Sequence, residues 1–235
     1  MDNSPLLLKK DARLAGFLYL LHIVAIVYGV IFISTKFGIS GTDGMANNII
    51  SNELLFRTGI ASRILGVITT LLLSLTLYRL LKLVNSTQAL LMLTLAVLSV
   101  PFQLFAEVFN ISSLMIAKGE LFKSIGNQQR HELTVLFLHL YNNIVSAGQI
   151  FWGLWLLPFG LLALKGRLLP KFLCVLLIAG SACYFIDYLA FLFSPACRSI
   201  TVLALLAGFA CEIATMVYLL KKGSIEKPVL TTQQK

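Results

Sequence analysis

A small set of ionisable and amide side chains interrupts the apolar runs of this chain. Arg63, Glu107, His139, Asn142, Asn143 and Asp187 form the primary set, with His22, Gln103, Tyr184 and Glu212 beside them. Arg63 is one fixed positive charge, while Glu107, Asp187 and Glu212 are three potential negatives. A charge at the centre of a membrane costs about 2.5–3.5 kcal/mol on insertion scales, so each must be paired, protonated or used. Three kinds of chemistry fit such a set. Glu107 and Asp187 would hold a polar or cationic solute, with Arg63 orienting them. His139 with Asp187 would act as an acid or base on a bound molecule. Or the polar groups would only hydrogen-bond helices together.

The stretch Thr134–Asp187 organises the rest. At about 100° per residue, His139, Asn142, Asn143, Ser146, Gln149 and Gly153 fall on one arc of a helix whose other arc is Leu, Ile, Phe and Trp. That polar arc has to face other helices or water, because lipid offers it no partners. Arg63 shares a face with Gly59, Gly66 and Thr70, and small residues there allow close approach of another backbone. Ser99, Gln103, Glu107 and Asn110 share a face of a helix that Pro101 interrupts. Counted along the helices, these groups lie in the outer half of a bilayer, which predicts an outward-facing polar cavity.

Composition requires a membrane for this arrangement. Of 235 residues, 58% are hydrophobic and 12% charged, and the mean hydropathy is +0.88. A soluble domain has about 25% charged residues. The expected fold is all-α, a polytopic integral membrane protein. Its six transmembrane helices are Leu14–Ser34, Ile60–Leu81, Ala89–Ala117, Thr134–Leu164, Phe172–Phe193 and Ile200–Leu220. Residues 1–13 form an N-terminal segment, 14–222 the transmembrane domain and 223–235 a polar, disordered tail. The run after Lys9, Lys10 and Arg13 is expected to stay as an uncleaved first span. Twelve Lys and Arg fall on the side of the two termini and six on the other, which places both termini in the cytoplasm. Between the first two spans, Asp43 is expected to cap a short helix that lays Met45, Ile49 and Ile50 on the membrane surface. Lys118–Leu133 is expected as an exposed loop.

Other classes of chemistry have no footing. The net charge of +9 is dispersed in short clusters between apolar runs, which excludes a nucleic-acid surface. Cys174, Cys183, Cys197 and Cys211 form no CxxC pair, so neither a disulfide framework nor a metal site is expected. No nucleotide-binding, hydrolase or metalloprotease motif is present, and no cofactor is indicated. The expected partners are the lipid bilayer and a small polar or cationic ligand.

Several motifs together carry a family likeness. They are Ala12-Arg13-Leu-Ala-Gly16-Phe-Leu-Tyr19, Phe56-Arg57-Thr-Gly59, Leu136-Phe-Leu-His-Leu140-Tyr141, Phe151-Trp-Gly153-Leu-Trp-Leu-Leu-Pro158, Leu169-Pro170, Ala179-Gly180, Tyr184 and Asp187. With these the chain resembles, over nearly all its spans, the bacterial membrane family known as domain of unknown function 4386. The segment Lys171-Phe-Leu-Cys174 departs from that pattern by lacking a glycine. The resemblance implies a bacterial inner-membrane protein and brings no activity with it.

Overall fold

A computed structural model describes residues 4–37, 42–193 and 198–222, with side chains for 9–37, 45–193, 206 and 208–221. The described residues are mostly helical and contain no strand. In order, the elements are α1 (Ser4–Ile26), a π-helical stretch (Val27–Phe32), α2 (Ile33–Phe37), α3 (Thr42–Ser51), α4 (Glu53–Leu81), α5 (Ser86–Ala117), α6 (Asn127–Lys165), α7 (Lys171–Phe193) and α8 (Arg198–Lys222). Lys9–Phe37, Glu53–Leu81, Ser86–Ala117, Asn127–Lys165 and Lys171–Phe193 are each long and apolar enough to cross a membrane. The sixth expected segment is helical in α8. The Asp43 side chain, Cys197 and the tail from Gly223 lie outside the described residues.

Several helices run past their apolar stretches. α4 begins at Glu53 and α6 at Asn127, where the sequence predicts a loop to Leu133. The extra turns carry their own local support: Arg57 Nε donates to Glu53 Oε1 at 2.8 Å and Gln128 Nε2 to Glu132 Oε1 at 3.2 Å, both at i,i+4 spacing. α5 starts on Asn85, whose Oδ1 accepts the Gln88 amide at 2.9 Å. It ends at Gly119, whose φ of +73° allows Glu120 N–H to return to the Met115 carbonyl. Beyond that end, Glu120 at 2.8 Å and Glu53 at 3.1 Å raise the Lys118 ammonium above its ordinary value.

Two compact units divide the chain. One comprises the described parts of 1–21, 69–100 and 148–235. Here the helices meet through small residues: a Cβ on Gly180 would stand 3.6 Å from Gly208 Cα, one on Gly153 2.7 Å from Tyr184 Cβ, and one on Gly16 2.7 Å from Leu220 N. The other unit comprises 22–68 and 101–147. Its core joins Ile33, Phe37, Ile49, Phe56, Ile60 and Leu114. Ile49 is fully buried and Met45 packs against the same cluster, while Ile50 is exposed. This corrects the expectation that Met45 and Ile49 rest on the membrane surface. The amphipathic face of α3 is consumed by a protein core instead.

Candidate functional site

The site begins with a misalignment in the backbone. In a regular α-helix the Ile33 amide would bond the Gly29 carbonyl. Here it turns to the carbonyls of Tyr28 and Val30, as the π-helical stretch requires. Arg63 Nη1 fills the place left open, donating to Gly29 O at 2.6 Å. Gly29 also makes the approach possible, since a Cβ there would stand 2.9 Å from Arg63 Cγ and 3.2 Å from the Gly59 carbonyl. Further ties fix α4 along this side. Ser62 Oγ donates to Ala25 O at 2.9 Å, His22 Nδ1 to Gly66 O at 3.2 Å, and the Tyr28 and Thr58 hydroxyls meet at 2.8 Å.

Arg63 is 7% exposed and Glu107 5%. The guanidinium grips the carboxylate in two places, Nε to Oε1 at 2.6 Å and Nη2 to Oε2 at 3.2 Å. Such two-point pairing is the strong form of a charged hydrogen bond. Asn110, one turn along α5, donates to the same Oε2 at 3.2 Å. The guanidinium lies over the Tyr141 ring, with Arg63 Cζ 5.4 Å from the ring centroid. Of the five guanidinium N–H groups, three are spent in these bonds and two are not.

Arg63 borders a cavity of about 160 Å³, room for several waters. Its polar wall is Arg63, Asn110, His139, Tyr141, Asn142 and Ser34. Its apolar wall includes Phe37, Met45, Ile49, Phe56 and Leu138. His139 and Asn142 are exposed. Neither they nor the Tyr141 hydroxyl bond any other described residue. The lining thus carries several unspent donors and acceptors beside a closed ion pair.

Of the expected residues, Arg63, His139 and Asn142 meet at the cavity, and Glu107 stands behind Arg63 as its partner. Asn143 is exposed and outside the lining. Between Asn142 and Asn143 the helix turns about 100°, enough to carry one amide past the rim. His22 is held by the Gly66 carbonyl. Gln103, on α5, is not among the lining residues.

Asp187, Tyr184 and Glu212 belong to the other unit. There Glu212, 8% exposed, accepts Tyr19 Oη at 2.8 Å and Tyr184 Oη at 3.2 Å. Asp187 is 2% exposed. No cluster of three His, Cys, Asp or Glu suited to a metal occurs among the described residues. Sequence reasoning missed Tyr141 and Gly29. Tyr141 stands between two stripe residues, a visible signal. Gly29 is a single glycine in an apolar run, and nothing in the run announces a π-helical turn.

Comparison with known proteins adds one match. The family described as Domain of unknown function (DUF4386) matches residues 14–223. No curated protein matches the chain, and no solved structure does.

Proposed function

Because the chain belongs to the DUF4386 family, whose description assigns no activity, we propose a function from geometry: a multi-pass membrane protein that binds a small polar solute in the cavity beside Arg63, and passes it across the membrane or senses it. Six spans with both termini in the cytoplasm are part of this reading, supported by α8 and by the Lys and Arg asymmetry. In that orientation α2 and α3 lie toward the outer face and the cavity opens outward.

The observation that carries the proposal is the combination of an open cavity with unspent hydrogen-bonding groups. Helices held together by polar contacts would spend those groups on one another. Here Asn142, His139 and the Tyr141 hydroxyl stay unbonded among the described residues while bordering open space. An intramembrane enzyme is less well supported. A catalytic histidine is usually oriented by a second group, and His139 has none among the described residues.

A thermal-shift screen of ions, lipids and metabolites tests this reading, run on wild-type protein and on Ser34→Trp, which fills the cavity from its exposed rim. A ligand bound there raises the midpoint of the wild type alone, because it stabilises only the folded state with an open cavity. A screen in which every stabilising compound acts equally on both proteins would overturn the proposal.

A further inference from the structure

The lining also specifies the kind of molecule that fits, an inference that rests on the binding role just proposed. Both oxygens of Glu107 are already taken, by Arg63 and Asn110, and Glu107 is not among the residues that line the cavity. An arriving cation would therefore meet the edge of a guanidinium with no free carboxylate beside it. An arriving anion fares little better. Arg63 is neutralised by a two-point partner, so a second carboxylate would leave surplus negative charge in a poorly solvated place. An uncharged acceptor avoids both costs. A carbonyl or amide oxygen takes the two unspent Arg63 N–H groups without altering the charge balance, and the Asn142 amide can answer its other polar atoms.

The opposite wall decides the rest of the molecule. Phe37, Met45, Ile49, Phe56 and Leu138 offer apolar surface, with Phe37 and Phe56 edge to face at 5.2 Å between ring centroids. Water against such a wall gains little, and an alkyl or aromatic group displaces it favourably. We infer that the cavity takes an uncharged amphipathic molecule, its acceptor oxygen on Arg63, its other polar atoms on Asn142 and its apolar part against Phe37, Met45, Ile49 and Phe56.

Three probes with the same alkyl chain separate the possibilities: hexanamide, hexanoate and hexylammonium. Each is titrated into detergent-purified wild type, Ser34→Trp and Asn142→Leu, with the same micelles throughout so that partition into detergent cancels. Hexanamide should raise the wild-type midpoint and bind about tenfold or more tightly than either charged probe, as the loss of one buried polar contact predicts. Its effect should fall in Asn142→Leu and vanish in Ser34→Trp. Preference for hexylammonium or hexanoate in the wild type, lost in Ser34→Trp, would overturn the uncharged assignment and leave the cavity's binding role standing. No difference between wild type and Ser34→Trp for any probe would overturn both.

Discussion

The Gly29 carbonyl receives Arg63 Nη1 at 2.6 Å, while Ile33, its regular helical donor, bonds Tyr28 and Val30 instead. A local change of helix pitch thus supplies an acceptor to a buried charge. It does so where a glycine lets α4 approach, and the side chain anchored there forms part of a cavity wall. Backbone, packing and site are linked through that one hydrogen bond.

Gly29→Ala should therefore destabilise the protein. Its Cβ would meet Arg63 Cγ and two backbone atoms closer than ordinary contact, and overpacking of this kind costs about 1–3 kcal/mol. Gly180→Ala is the contrasting case, since its Cβ would make ordinary contact with Gly208 at 3.6 Å, and alanine favours helix by about 1 kcal/mol. Thermal midpoints in detergent should fall for the first and hold or rise for the second.

Removing either member of the Arg63–Glu107 pair should cost about 3–5 kcal/mol, because the remaining charge is stranded in a buried site. Arg63→Ala combined with Glu107→Ala should recover part of that loss. Folded yield and thermal midpoint of the singles and the double check this. A double variant as unstable as the two single losses added together would show that the pair is not coupled.

Glu212 depends on two phenols. Tyr19→Phe should cost about 1–2 kcal/mol for its 2.8 Å bond, and Tyr184→Phe less for its 3.2 Å bond. Losing both should exceed the sum of the two, since the second change removes the last of these donors from a buried carboxyl group. Unfolding of the three variants in detergent measures the interaction, and strict additivity would contradict it.

The membrane topology has its own test. A reporter active only in the cytoplasm should be active when fused after Lys222 and silent when fused within 119–125. The reverse pattern at both sites would invert the orientation.

Much of this was legible in the sequence, for identifiable reasons. Apolar runs long enough to span lipid locate the long helices, because no other local structure satisfies its backbone there. Arg63 and Glu107 announce themselves by the cost of leaving either alone. Helix ends were less legible: Glu53 and Arg57, or Gln128 and Glu132, extend helices into polar sequence that hydropathy reads as loop. The roles of Met45 and Ile49 were hidden because an amphipathic face looks the same whether it meets lipid or protein. The π-helical turn at Val27–Phe32 was not legible at all, since a single glycine in an apolar run does not announce it, and its accompaniment, the close packing of Gly29 against Gly59 and Arg63, is a tertiary feature.

The most direct measurement concerns whether water reaches the polar wall. In a background lacking Cys174, Cys183, Cys197 and Cys211, Asn142→Cys places a thiol on the cavity lining, and Phe105→Cys places one on an apolar position of α5 that is 64% exposed. A small water-soluble thiol reagent added from outside intact cells should modify the first rapidly and leave the second almost untouched, as a wet cavity within an apolar exterior requires. Equal inertness at both positions would show a cavity closed to water and contradict the binding role proposed for it.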